Sequence, residues 1–200
     1  SPSKQFHNVS NENRILSLRN YIRSFSSYGR IIAIGCDGGG TTFWEKGSAY
    51  PIIHLDPNDV PWSKAESGST LAIAYDSAGY CYTGGFNRGI TRVHPNLRDI
   101  DLYKVSPNEK GALQHNFTSD ILCDSLDRIW ILSNGGGLCV VTDKQKGTVE
   151  YHNTDRNGNP NSGLCGTALC EYDKHTLLVG SYIGFSVYDT YKDEFTNYGC

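Results

Sequence analysis

Six histidines, two glycine triplets and seven cysteines carry most of the chemical potential of this chain, and their spacing decides what they can do. His7, His54, His94, His115, His152 and His175 are scattered, and three of them recur beside the same kind of strand. That marks a repeat position rather than a metal site. The triplets Gly38-Gly39-Gly40 and Gly135-Gly136-Gly137 lack the Lys-Ser/Thr of a nucleotide loop and open no helix, so they read as hairpin turns. The cysteines form no Cys-x-x-Cys pair and match no zinc ribbon. Cys81, Cys123, Cys139 and Cys170 fall in strand-like runs, where a free thiol packs as a small hydrophobe; unpaired thiols are the expectation, with a Cys165–Cys170 bridge from loop to strand as the lesser alternative. Asp76-Ser77-Ala78-Gly79 has Asp-x-x-Gly spacing, one residue longer than the aspartate-box turn of sialidases, and no arginine triad accompanies it. With no Ser/His/Asp elbow and no paired carboxylates, the chain is expected to be non-catalytic and to need no cofactor or metal.

The elements that position these residues come from repetition. Asp124-Ser125-Leu126-Asp127-Arg128-Ile129-Trp130-Ile131-Leu132-Ser133-Asn134-Gly135-Gly136-Gly137-Leu138 has counterparts beginning at Asp76, at Asp173 and at Ser27. Each is a polar turn, a short apolar run and a glycine-rich turn. A closing strand centred on Phe6, Ile53, Leu102, Val149 and Phe195 recurs every 46 to 49 residues, the length of a four-stranded propeller blade. One such unit cannot bury its own apolar face and must stack on its neighbours.

Period-two patterning places the strands. They are Ile22 to Phe25, Arg30 to Gly35, Thr41 to Glu45 and Tyr50 to Leu55; Leu71 to Asp76, Gly79 to Gly84, Gly89 to Val93 and Ile100 to Val105. Next come Asp120 to Asp124, Arg128 to Ser133, Gly137 to Thr142 and Thr148 to His152, then Ala168 to Glu171, Thr176 to Ser181, Phe185 to Asp189 and Glu194 to Tyr198. The expected fold is an all-β propeller segment with blades over 11–56, 69–105, 119–153 and 166–198. Residues 4–9 would form the outer strand of a preceding blade. Because Phe195 already closes the fourth unit, Phe6 is surplus to a four-bladed ring, and the array is expected to belong to a longer one. The chain has no Met at all, which also suits a processed or excised piece.

Composition agrees. Twenty-two Gly and thirteen Tyr with 20% charged residues suit turn-rich β structure. A net charge of −3 and the lack of a Lys/Arg stripe remove the electrostatic basis for gripping nucleic acid. No apolar run approaches the roughly 20 residues that span a bilayer, so any membrane attachment is expected to come from segments outside this chain.

The assembled repeat resembles the two-component regulator propeller repeat. The closest copies are Asp124 to Leu138 with Ile129-Trp130-Ile131, and Leu178-Val179-Gly180-Ser181 followed by Gly184-Phe185-Ser186-Val187-Tyr188-Asp189 and Phe195-Thr196-Asn197-Tyr198. Asn161-Ser162-Gly163-Leu164 before an innermost strand also resembles that family. The Trp slot is filled by Cys81 or Leu177 in other units. The resemblance implies the periplasmic or extracellular sensor region of a bacterial hybrid two-component system that regulates polysaccharide use. Its ligand would be an oligosaccharide, and a homodimer or another protein would be its partner. A protein-interaction scaffold is the alternative; a propeller similar to the streptogramin-inactivating lyases is a third reading and would need a His-centred site, for which His115 is the best placed.

In a propeller, the second-to-third-strand turns and the loops between blades gather at one end of the central channel. The turns supply Asp37, Phe86, Asn87, Arg88, Asn134 and Tyr182; the inter-blade loops supply Trp62, His115 and Asn116. Aromatic faces stack on sugar rings while Arg, Asn and Asp bond hydroxyls. Trp62, Arg88, Asn134, Tyr182, Asp37 and His115 are therefore the expected ligand-binding residues. Trp130 is expected to pack in the core.

Overall fold

A computed structural model describes residues 21–55, 68–86, 89–161 and 164–199. Sixteen strands form four antiparallel four-stranded sheets among them, each a meander in chain order. Blade 1 holds β1 (Tyr21–Tyr28), β2 (Ile31–Asp37), β3 (Gly40–Glu45) and β4 (Pro51–Leu55); blade 2 holds β5 (Thr70–Tyr75), β6 (Cys81–Gly85), β7 (Ile90–Val93) and β8 (Ile100–Tyr103). Blade 3 holds β9 (Thr118–Cys123), β10 (Ile129–Ser133), β11 (Gly137–Asp143) and β12 (Thr148–Tyr151). Blade 4 holds β13 (Gly166–Asp173), β14 (Thr176–Ser181), β15 (Gly184–Asp189) and β16 (Glu194–Gly199). No helix of the described residues is long and apolar enough to cross a membrane.

The first hairpin of blades 2 and 3 is built by a buried aspartate. Asp124 Oδ1 accepts the Leu126 and Arg128 N–H groups at 3.1 and 2.9 Å, and Oδ2 accepts Arg128 Nε at 2.6 Å and Trp130 Nε1 at 2.8 Å. Asp76 does the same work in blade 2, accepting the Ala78 and Tyr80 N–H groups and the Tyr82 hydroxyl. A carboxylate that accepts two turn amides supplies the closed backbone bonds a tight reversal needs. Its second oxygen then ties the turn to an aromatic side chain on the following strand.

Both faces of the inner sheets are apolar because each is covered by a neighbouring blade. Ala33 and Phe43 of blade 1 pack with Ile73, Cys81 and Val93 of blade 2. Ala72, Ala74, Tyr82 and Ile90 meet Ile121, Ile129, Ile131 and Cys139 across the next seam, and Trp130, Leu132 and Leu138 meet Leu177, Val179, Tyr188 and Phe195 across the third. Fully burying each large side chain contributes about 1.5–3 kcal/mol, so these three seams hold the molecule together. Trp130 is core, as its place in the repeat requires.

Polar contacts fasten the same seams. The Tyr28 hydroxyl donates to the Ser77 carbonyl across the first, and the Ser77 N–H donates to Asp127 across the second. Lys144 adds to the second by reaching both Asp76 and Asp127. Across the third, Glu171 accepts the Ser125 N–H and hydroxyl, and Asp120 accepts the Leu169 N–H at 2.7 Å.

Two expectations need correction. Strands β1 and β13 run well beyond Ile22–Phe25 and Ala168–Glu171, because backbone pairing continues through polar residues that carry no apolar signal. Cys170 is exposed, not packed, since the face it occupies has no following blade among the described residues. All six described cysteines are free thiols, Cys165 and Cys170 included. The strand expected around Phe6 lies outside the described residues.

Candidate ligand cleft at the inner rim

Every innermost strand carries one extra residue at the same place. In β1, Ile22 pairs with Cys36 and Ser24 with Gly35, leaving Arg23 over; in β5, Thr70 pairs with Gly85 and Ala72 with Gly84, leaving Leu71 over. Ser119 in β9 and Thr167 in β13 are left over in the same way. A bulge breaks the alternation of the strand and re-aims a side chain, which is why bulges collect at sites. Here the four bulged residues stand 48 positions apart and all line one cleft of about 370 Å³. That volume falls within the range of small-molecule sites.

The rest of the lining comes from turns. Phe86, Asn134 and Tyr182 project from the second-to-third-strand turns of blades 2, 3 and 4, and Phe117 comes from the loop entering blade 3. The Phe86 and Phe117 rings lie 4.6 Å apart at 40°. Tyr182 is 71% exposed, a free aromatic face at the rim. Asn134 is held by its N–H donating to the Phe117 carbonyl at 2.9 Å, and Gly135 N–H donates to Leu164 at 2.6 Å. Gly135 sits at φ +93° with the His115 ring 2.9 Å from where a Cβ would stand, so only glycine fits this turn.

Among the described residues Arg23 is the one charged side chain in the lining, and it is paired. Its Nε and Nη2 both reach Asp37 Oδ2, at 3.3 and 2.9 Å, while Asp37 Oδ1 accepts the Ser69 hydroxyl at 2.8 Å. The Arg23 bond, followed by the one from Ser69, holds the Asp37 carboxyl below the usual carboxylate range. The cleft thus presents aromatic planes, an amide, the hydroxyls of Ser119, Thr167 and Tyr182, and an internally neutralised ion pair.

Of the residues expected at the site, Asn134 and Tyr182 line the cleft, as does Phe86. Asp37 stands behind Arg23 as its counter-ion. His115 packs over the Gly135–Gly136 turn, with its Nδ1 accepting the Phe117 N–H at 3.4 Å, and supports the wall without lining it. Trp62, Asn87 and Arg88 lie outside the described residues. Arg23, Leu71, Ser119 and Thr167 were not singled out from the sequence, although their 48-residue interval was a usable signal. Among the described residues no group of His, Cys, Asp or Glu is arranged to hold a metal ion.

No family model matches the chain, and no curated protein does. Solved structures do match. The extracellular domain of the hybrid two component system BT3049 from B. thetaiotaomicron superposes with a TM-score of 0.70 at 21% identity, over 90% of this chain and 23% of that one. The extracellular domain of a second such system from the same organism, BT4673, gives 0.62 at 15% identity over 90% of this chain and 23% of that one. The WD40 repeats of RRP9 give 0.69 at 11% identity, over 92% of this chain and 53% of that one. The chain therefore spans under a quarter of the two bacterial structures and about half of the WD40 chain. At these identities the likeness is one of fold, and the fold is a β-propeller.

Proposed function

We propose that this propeller is a non-catalytic sensing module of a bacterial signalling protein, exposed to the periplasm or the cell exterior, and that it binds an oligosaccharide in the bulge-lined cleft. The observation that carries this reading is the convergence of four bulged residues, one per blade, with Phe86, Phe117, Asn134 and Tyr182 around a single cavity. Aromatic planes beside amide and hydroxyl groups suit a pyranose, which has one apolar face and a rim of hydroxyls. The structural likeness to extracellular domains of hybrid two component systems supports a sensing role and an external location. In this reading, signalling itself falls to other parts of the protein.

Calorimetric titration of the chain against a panel of oligosaccharides tests the proposal. A ligand that binds is expected to lose at least about tenfold in affinity, roughly 1.4 kcal/mol, on Tyr182→Ala or Phe86→Ala. Failure of the whole panel, or binding untouched by both substitutions, would overturn it.

A further inference from the structure

The repeat directs eight side chains toward the cleft, two from each blade. One is the bulged residue of the innermost strand: Arg23, Leu71, Ser119 or Thr167. The other leads into the second-to-third-strand turn. Register puts Cys36, Gly85, Ser133 and Ser181 at the same place in the four blades, and the residues that follow them are Asp37, Phe86, Asn134 and Tyr182. Seven of the eight line the cavity, and Asp37 is the exception.

Only two of these eight residues carry charge. They have opposite signs, both belong to blade 1, and they are bonded to each other. Nε and Nη2 of Arg23 donate to Asp37 Oδ2, which leaves three of the five guanidinium N–H donors for a ligand. Asp37 is itself tied down from the other side. Its Oδ1 accepts the Ser69 hydroxyl at 2.8 Å, and Ser69 Oγ accepts the Gly38 N–H at 2.9 Å. An incoming group that drew Arg23 away would therefore leave the carboxylate in place beside the cleft. That carboxylate is an anion at neutral pH, because the bonds from Arg23 and then Ser69 hold it below the usual range.

Such a pair treats neutral and anionic ligands differently. A sugar hydroxyl accepts from the spare N–H groups of Arg23, and the charge on the donor strengthens that bond without a second ion being taken out of water. A ligand carboxylate must shed its water to reach Arg23, and the attraction gained there is opposed by Asp37 behind it. Specificity of this kind comes from a repulsive element as much as from an attractive one.

We infer, on the reading that the cleft binds an oligosaccharide, that Asp37 is a charge filter: it fits the cleft to uncharged sugar units and turns away sugars that carry a carboxylate. The filter resides in blade 1. The six equivalent residues of the other blades are uncharged, so none of them replaces it.

Titration against an oligosaccharide panel tests this when every uronate-containing member is offered both as the free acid and as its methyl ester, which keeps the ring and removes the charge. The chain is expected to bind neutral members, and to prefer any ester it binds over the matching acid by at least about tenfold. Asp37→Asn keeps an acceptor for Ser69 and frees the Arg23 charge. It should cut the ester-to-acid ratio by at least about tenfold, and added salt should shrink the gain in acid binding. Arg23→Gln leaves Asp37 uncompensated and should widen the ratio instead. Far-UV circular dichroism should show both variants folded. An acid bound as tightly as its ester by the unaltered chain overturns the inference, as does an Asp37→Asn chain that binds no acid more tightly than before. In either case sugar binding itself stands. If no panel member binds any of the three proteins, the sugar-binding reading fails and the filter falls with it.

Discussion

Blades 3 and 4 share one strand plan and nearly one sequence pattern, but the same position means different things in each. Strand register puts Leu178 of blade 4 and Tyr82 of blade 2 in the slot of Trp130, rather than the Leu177 and Cys81 expected from the sequence, and Trp130 and Leu178 face the same way from the second strand of their blades. Trp130 is enclosed between Tyr188 and the Asp124 carboxylate, whereas Leu178 faces outward from the last blade. Asp124 is buried and gathers four donors; Asp173 opens the equivalent turn in the open and takes the His175 N–H at 2.9 Å. In a repeat protein, burial is a property of the seam and not of the residue that enters it.

Substitutions at paired positions put that contrast to the test. The largest effect is expected from Trp130→Ala, about 3–5 kcal/mol by urea denaturation, against less than about 1 kcal/mol for Leu178→Ala measured at concentrations where the chain is monomeric. Equal losses would mean that blade 4 is covered in solution even in single chains.

Asp124→Ala comes next, at about 3 kcal/mol. It strands the Trp130 indole N–H and two turn amides in a buried setting and leaves Arg128 without its 2.6 Å partner. Asp173→Ala is expected to move the urea midpoint far less. A comparable shift in the two variants would place the Asp173 turn under unseen cover.

The smallest effects are those of pH, and they distinguish the second seam from the third. Burial pushes Asp127 up, but the Lys144 ammonium and the Ser77 N–H and hydroxyl outweigh it and hold the group at about 2. Its folded value lies below the ordinary value of about 3.9, so its contribution is present above that value and is lost as pH falls toward 2. Asp120 behaves in the opposite sense. Burial raises it despite the Leu169 and Ile121 N–H groups, so its contribution is present at low pH and lost as pH rises through the raised value. Asp127→Asn should therefore flatten the acid limb of a stability–pH profile. Asp120→Asn, which keeps an acceptor for Leu169, should raise stability at neutral pH. If Asp120→Asn lowers it there, the carboxylate's bond to Leu169 outweighs its desolvation.

Strand order and blade number were legible because the turns announce themselves. Asp76, Asp124 and the glycine run at 135–137 carry their chemistry locally, and the apolar runs between them alternate cleanly. The bulges were not legible. A bulge exists only relative to the strand it is paired with, so Leu71 and Ser119 look like ordinary strand residues until Gly84, Gly85, Leu132 and Ser133 are set beside them. Asn134 and Tyr182 could be placed at the cleft from their turn position alone. Cys170 was misplaced for a related reason: it shares a slot with Cys123, but the neighbour that would bury it is not encoded in its own repeat.

Strands β1 and β13 share no substantial contact among the described residues. The cleft takes one wall residue from each innermost strand, and its width is therefore set by the angles at three seams. A ligand that bridges Arg23 and Thr167 would draw the outer blades together. By reciprocity, any partner that braces blade 4 would tune how well that ligand fits. The cleft is in that sense a gauge of blade spacing, with a bound ligand as one way of fixing the reading.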